Sequence, residues 1–268
     1  MSIKRMIAVI LIFLLGVAGW QILGMATQLR SDLASGRLGY MVESLWGSKI
    51  VQQAPSFFIK IPGSDRVRHV LPSANMLDVN IALEFRKKGL VWYPTFVNDF
   101  VGAYTLTNQD MVKQKVQVHF PLPSEHATYD QLLVKLDNET LDIPINTREG
   151  VNTIVEIAPS ASRTFRVTYR TRGLWLWQYQ FDKSLGRVRN LDATLRTNFA
   201  EIDFPHGTLS PMQKVNEGKG LVLSWQANDL ITQQGIGMTM PERLNPGPLS
   251  TRITFFAPVC LLFFFVLM

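Results

Sequence analysis

Three aromatic residues at alternate positions, Trp175, Trp177 and Tyr179, have the side chains and the spacing closest to a binding chemistry. Because side chains two residues apart lie on the same face of a β-strand, the three rings would form one aromatic surface. Exposed rings of this kind stack on the sugar rings of a glycan or cover the apolar part of a lipid. The alternative is that the rings cover one side of a sheet and bind nothing. The sequence leaves both interpretations open.

The sequence carries none of the common motifs of catalysis, metal binding or cofactor binding. It lacks the Gly-x-Ser-x-Gly turn of a serine hydrolase, the phosphate-binding Gly-x-x-x-x-Gly-Lys and the zinc-binding His-Glu-x-x-His. Its four histidines are scattered without the spacing of a metal site, at His69, His119, His126 and His206. We therefore expect a protein that is not an enzyme and that needs no metal ion or cofactor.

Two long segments without a charged residue, 6–25 and 253–268, lie near the ends of the 268-residue chain. A helix of about 20 residues is about 30 Å long, which matches the hydrocarbon core of a bilayer. Lys4 and Arg5 precede the first segment, and the preference of basic residues for the cytoplasmic side predicts a cytoplasmic N-terminus. We expect residues 1–28 to form an uncleaved transmembrane anchor. The alternative is a cleaved signal peptide.

Two further segments are expected to be helical. Residues 29–56 carry Leu29, Leu33 and Tyr40 at helical spacing, which predicts a juxtamembrane helix after the anchor. Residues 251–268 form a second predicted transmembrane segment, whose apolar part is near the lower length limit for a span. We expect this segment to be the start of a longer membrane region. The alternative is a terminal anchor that enters the membrane as a hairpin.

Residues 57–250 have the alternating apolar pattern of β-strands. In segments 78–85 and 113–121 apolar residues recur at every second position, and turn-forming residues separate the strand-like runs. Many short strands with turn signals between them predict a mainly β fold, an antiparallel β-sandwich of one or two subdomains. This region contains no cysteine, which suits a bacterial envelope protein, and we expect it to be extracytoplasmic.

Basic residues exceed acidic residues only modestly. The chain has 27 Lys+Arg and 21 Asp+Glu, which gives a net charge of +6 at pH 7. The one dense basic run is Arg86-Lys87-Lys88, and we interpret it as a solvated turn between strands rather than a lipid or nucleic-acid patch. We therefore expect no nucleic-acid partner.

Short motifs occur in the same order as in one family of bacterial membrane proteins. Ser-Leu-Trp-Gly at residues 44–47 and Gln-Ala-Pro at 53–55 follow the first apolar segment. Val-Leu-Pro at 70–72 then precedes the strand-like segment 78–85, and Asp-Phe-Pro-His occupies 203–206. By these motifs the chain resembles the CreD-like family of bacterial inner-membrane proteins.

The chain departs from the CreD-like pattern at two points. Phe204 stands where the family has a tryptophan before Pro-His, and Gly207 follows His206. The family also continues into several more membrane helices after its soluble domain, whereas this sequence ends within the first of them. The resemblance implies an extracytoplasmic domain between membrane helices and a connection to envelope stress. It carries no catalytic residue over to this chain.

These features predict a non-enzymatic protein of the bacterial inner membrane, with a cytoplasmic N-terminus and a periplasmic β domain. We expect the domain to bind or scaffold partners in a membrane complex. The expected partners are the lipid bilayer and either other membrane proteins or further copies of this chain. The alternative function is a glycan- or lipid-binding envelope module that uses Trp175, Trp177 and Tyr179.

Overall fold

The structure, a computed structural model, describes residues 3–61, 63, 64 and 66–267. The chain divides into two compact units. We call the first the helical unit, which comprises Met1–Val42, Arg86–Tyr93 and Glu242–Met268. The second is the β-rich unit, which comprises Glu43–Phe85 and Pro94–Pro241.

Both helices of the described chain are long and apolar enough to cross a membrane by length and composition. Helix α1 spans Ile3–Trp46 and helix α2 spans Pro246–Leu267. Helix α1 contains the apolar segment 6–25, and α2 contains residues 253–267 of the second apolar segment, whose last residue lies outside the described residues. The predicted juxtamembrane segment 29–56 is helical only as far as Trp46, and this helical part is the continuation of α1 rather than a separate helix. Residues Ile50–Gln53 of the segment form a strand.

Fifteen strands make up most of the rest of the described chain. In chain order they are β1 (Ile50–Gln53), β2 (Ser56–Lys60), β3 (Val67–His69), β4 (Ala74–Lys88), β5 (Val91–Thr107), β6 (Gln114–Phe120), β7 (Tyr129–Leu136), β8 (Glu139–Thr140), β9 (Val151–Ile157), β10 (Ser162–Leu174), β11 (Leu176–Gln180), β12 (Arg187–Thr197), β13 (Gln213–Glu217), β14 (Gly220–Ile231) and β15 (Ile236–Thr239). The prediction of a mainly β chain with an apolar helix toward each end is confirmed.

The strands form three sheets. Their orders are β13-β14-β12-β4-β5-β10-β7-β8, β3-β2-β6-β9 and β1-β11-β15. Most neighbours are antiparallel, as expected, but β1 with β11 and β4 with β12 are parallel pairs, so the prediction of purely antiparallel sheets is wrong. A parallel pair joins strands that are distant along the chain, and the local apolar pattern carries no signal of which distant strands pair.

One hydrophobic cluster draws buried side chains from all three sheets. It contains Phe57 and Val118 from the four-stranded sheet, Leu77 and Phe100 from the eight-stranded sheet, and Trp177 from the three-stranded sheet. The alternation seen in the sequence explains this arrangement, because every second residue of a strand points to the same side. The β-rich unit therefore has a core of its own.

Cross-strand ion pairs neutralise several arginines of the eight-stranded sheet. Arg170 lies opposite Asp99, and its Nε donates to Asp99 Oδ1 at 2.5 Å. Arg187 Nε donates to Asp229 Oδ1 at 2.7 Å, and this hydrogen bond lowers the pKa of Asp229. Pairs of this kind on a partly exposed sheet face contribute little stability each.

Candidate functional site

The two helices of the helical unit touch where α1 has glycine. A Cβ atom built on Gly24 would lie 2.8 Å from Phe255 Cε1, and one on Gly16 would lie 3.0 Å from Leu261 Cδ2. Glycine at such positions lets helix backbones approach closely, as in packed membrane helices. The most apolar stretch of 18 residues in each helix is almost entirely exposed, since 0% of this stretch is buried in α1 and 6% in α2. The outer surface of the pair is thus apolar and uncovered.

Strand β13 forms an open edge of the eight-stranded sheet. It pairs with β14 alone, and all five of its residues are exposed. Gly218 and Lys219 make a two-residue turn to β14, and Gly218 has φ 60°, as suits the first position of a type II′ turn. The pair that closes such a turn, Glu217 and Gly220, exchanges backbone hydrogen bonds, and every second pair along the two strands does the same. Lys214 and Asn216 belong to the pairs in between, so their N–H groups point away from β14.

A polar cleft of about 220 Å³ opens in the β-rich unit beside β3. Basic, hydroxyl and amide side chains from four separate parts of the chain line it, among them Arg68, His69, Ser73, Thr107, Gln114 and Arg189. His69 also lines a second cleft of about 280 Å³, together with His119 and Asp182. The sequence analysis missed this grouping because no spacing in the sequence connects residues so far apart.

Donor groups dominate the chemistry of the first cleft. Arg68 and Asp110 form an ion pair at 3.5 Å, but both side chains are at least half exposed, so the pair is weak. Ser73 Oγ lies 2.9 Å from Thr107 Oγ1, which lies 2.9 Å from Ser162 Oγ. The cleft offers guanidinium and hydroxyl groups that suit a small anion or polyol.

The structure places the predicted aromatic platform inside the protein. Trp177 is 0% exposed and Tyr179 is 1% exposed, and both belong to the hydrophobic core. Trp175 has φ 65° and separates β10 from β11, so it does not continue the strand. The interpretation of Trp177 and Tyr179 as part of an exposed binding surface is corrected, because their shared face packs on the other sheets, whereas Trp175 is partly buried and lies outside this strand.

Buried tyrosines form a polar network within this core. Tyr104 Oη lies 2.9 Å from Tyr179 Oη, and Tyr169 donates to Gln52 Oε1 at 2.6 Å. Gln52 Nε2 in turn donates to the Pro121 carbonyl at 2.8 Å. Desolvation by burial raises the pKa of all three tyrosines above the ordinary phenol value. Their hydroxyls therefore remain protonated at physiological pH and serve as hydrogen-bonding groups of the core.

His69 and His119 share a cleft, but the four histidines do not form one cluster. His119 Nδ1 lies 2.9 Å from Asn152 Oδ1, and His126 lies 3.2 Å from Glu125 at the surface. Among residues 3–61, 63, 64 and 66–267, no group of three or more His, Cys, Asp or Glu side chains is placed to hold a metal ion.

Two buried asparagines of the β-rich unit differ in their hydrogen bonding. Asn98 is 0% exposed, and neither atom of its side-chain amide has a partner among the described residues. Asn108 is 1% exposed, and its Nδ2 donates to the carbonyls of Val112 and Ile157 at 2.8 and 3.1 Å. An unsatisfied buried amide destabilises a fold, whereas a satisfied one stabilises it.

We expect Asn98→Leu to raise the free energy of unfolding by about 1–2 kcal/mol, because it removes a polar group that lacks partners. Asn108→Leu, the matched control, is expected to lower that free energy by about 2–3 kcal/mol, since it leaves buried carbonyls unpaired. Urea unfolding of the full chain in mild detergent, followed by tryptophan fluorescence, measures both. A loss of stability in Asn98→Leu would contradict this account.

Comparisons with known proteins give little guidance to function. No family model and no curated protein sequence matches this chain. Among solved structures, a Legionella pneumophila protein named "putative nutrient binding protein" is similar over 70% of each chain, with 11% sequence identity and a TM-score of 0.41. A likeness at this level assigns no activity to this chain. The resemblance to the CreD-like family stays a prediction.

Proposed function

We propose that this chain is an integral membrane protein of the bacterial inner membrane whose β-rich unit scaffolds a membrane complex by binding a partner protein along β13. In this proposal it acts as a binding protein and not as an enzyme. Its N-terminus lies in the cytoplasm and the β-rich unit lies in the periplasm. Membership of the CreD-like family and a connection to envelope stress belong to the same hypothesis.

The apolar helix pair supports the membrane placement. Each helix is long enough to span a bilayer, and their exposed side chains include Leu11, Leu15 and Phe263, which are 58%, 66% and 64% exposed. Water-exposed apolar surface on this scale is costly, whereas contact with lipid removes that cost. Lys4 and Arg5 before the first span favour a cytoplasmic N-terminus.

The open edge at β13 is the observation that carries the binding function. An edge strand with unpaired N–H and C=O groups is a template for an added strand, and proteins commonly cover or shorten such edges. Met212 and Val215 are 61% and 55% exposed, so the edge also presents apolar side chains. We infer that an extended segment of the partner pairs with β13 and covers these residues.

Replacing Lys214 by proline tests this function. The substitution removes an N–H that points away from β14, and proline is tolerated on an edge strand where the lost N–H faces outward. With a photo-crosslinking residue in place of Met212 and the full chain in intact membranes, we expect Lys214→Pro to reduce the crosslinked product at least about fivefold, the equivalent of one lost hydrogen bond.

Lys214→Thr is the matched control, since it removes the same charge but keeps the N–H. Its crosslinking yield should equal that of the unaltered chain. The mass of the product distinguishes a different membrane protein from a second copy of this chain. Equal yields from both variants, or no product from the unaltered chain, would overturn the proposed role of β13.

A further inference from the structure

Basic residues from three distant parts of the sequence belong to the helical unit. Besides Lys4 and Arg5, the unit has seven basic residues and two acidic residues, Asp32 and Glu242. All seven of these basic residues except Lys88 are exposed. We call them the basic collar, and they are Arg30, Arg37, Arg86, Lys87, Lys88, Arg243 and Arg252. With Lys4 and Arg5 included, the helical unit has nine basic and two acidic residues, a net charge of +7, whereas the rest of the chain has a net charge of −1.

Trp92 joins two segments of the basic collar. Lys87 Nζ lies 5.4 Å from the centroid of its ring, and Arg243 Cζ lies 4.9 Å from it. The side chain of Asn245 accepts a hydrogen bond from the backbone N–H of Trp92 at 2.7 Å and donates one to the backbone carbonyl of Trp92 at 3.3 Å. Cation–π contacts and these hydrogen bonds hold the two cations at one tryptophan.

The tip of the β4–β5 hairpin is also bound to α1 within the helical unit. Tyr93 Oη donates to the Ser35 carbonyl at 2.9 Å, and a Cβ atom on Gly89 would lie 3.5 Å from Leu38 Cδ1. The run Arg86-Lys87-Lys88 forms the end of β4. Arg86 and Lys87 are exposed, in keeping with the interpretation of the run as solvated, but the run is the end of a strand rather than the turn itself, and it belongs to the same unit as the arginines of both helices.

We propose that the basic collar binds the headgroups of anionic phospholipids at the membrane surface. The inference rests on the membrane placement in the proposed function. Arg30 follows the first apolar segment by a little more than one helical turn, and Arg252 directly precedes the second. The positions of these two arginines put the membrane-proximal end of the collar at the depth of lipid phosphates when the apolar segments span the bilayer.

Exposed aliphatic side chains beside the cations support a lipid rather than a soluble anion as the ligand. Leu90 at the hairpin tip is 69% exposed, and Leu244, next to Arg243, is 82% exposed. A surface that combines basic and aliphatic side chains attracts anionic headgroups and inserts its apolar groups at the edge of the acyl region. A free phosphate ion would contact only the cations.

The experiment uses the full chain in vesicles that contain phosphatidylcholine and phosphatidylglycerol in equal amounts. The protein is extracted in mild detergent, and native mass spectrometry counts the lipids of each kind that stay bound. We expect phosphatidylglycerol to be enriched at least about fivefold over phosphatidylcholine, and the enrichment to fall at high salt. The variant Lys87→Gln/Lys88→Gln/Arg243→Gln should lose most of this enrichment.

A matched control removes three exposed basic residues of the β-rich unit, as Lys113→Gln/Lys115→Gln/Arg148→Gln, and should keep the enrichment. Equal retention of both lipids, an equal loss in the control, or displacement by inorganic phosphate beyond the effect of sodium chloride at the same ionic strength would overturn the proposal. Carbonate extraction distinguishes the two hypotheses. A chain released by carbonate would refute the membrane placement itself, whereas an embedded chain without enrichment refutes only the lipid site.

Discussion

Replacing Trp177 by alanine is expected to lower the free energy of unfolding by about 3–5 kcal/mol, the range for deleting a large aromatic side chain from a core. Trp177 is 0% exposed. Its strand, β11, lies between β1 and β15, and the cross-strand partners of Trp177 are Ile50 and Met238. The alanine would leave a cavity where three strands meet. Urea unfolding of the full chain in mild detergent measures the loss.

Trp177→Phe is the control for this prediction. The indole Nε1 of Trp177 has no hydrogen-bond partner among the described residues, so phenylalanine loses volume but no hydrogen bond. We therefore expect it to cost clearly less than alanine, about 1–2 kcal/mol. A near-neutral effect of Trp177→Ala would contradict the core assignment and would restore the interpretation of Trp177 as a surface residue available to a glycan or lipid.

Replacing Gly24 by leucine is expected to separate helices α1 and α2. Even a Cβ atom at this position would lie 2.8 Å from the Phe255 ring, so the larger side chain cannot fit without moving one helix. Overpacking of this kind costs about 1–3 kcal/mol, which corresponds to at least about a fivefold shift in helix association. Because α1 and α2 form the proposed anchor, the substitution tests the tertiary contact on which that anchor depends.

Disulfide crosslinking in intact membranes measures the separation. Phe13 and Phe265 have ring centroids 5.8 Å apart, so cysteines at these two positions in a Cys260→Ser chain, joined directly or by a short thiol-reactive crosslinker, report on helix contact. Gly24→Leu should reduce the crosslinking yield at least about fivefold. Gly19→Leu is the matched control on the same helix, since its Cβ would meet no described atom within 4 Å. Equal yields in both variants would refute the glycine contact.

Local composition and period predicted part of this fold. Segment 6–25 and residues 253–267 of the second uncharged segment lie in two apolar helices, because a long apolar run satisfies its backbone groups most simply as a helix. The alternation in 78–85 predicted a strand whose residues Val79 and Ile81 are buried. These features depend on neighbouring residues alone, and for that reason the sequence expresses them directly.

The pairing of distant segments decided what the pattern left open. Alternating aromatic residues indicate that one face of a strand is aromatic, but they do not indicate whether that face contacts a ligand or packs on another sheet. The contacts of β11 with β1 and β15 bury Trp177 and Tyr179. Likewise, nothing near residues 86–88 in the sequence signals the arginines of the two helices.

The sequence by itself therefore determined the two apolar helices and many of the strands, and it determined the overall charge. Only the tertiary structure decided that β13 is an open edge, that Arg68 and Arg189 share a cleft, and that Lys87 and Arg243 lie on the same Trp92 ring. The physical reason is the range of the interactions. Secondary structure follows from residues a few positions apart, whereas burial, edges and charge clusters depend on segments far apart along the chain, as Arg68 and Arg189 are.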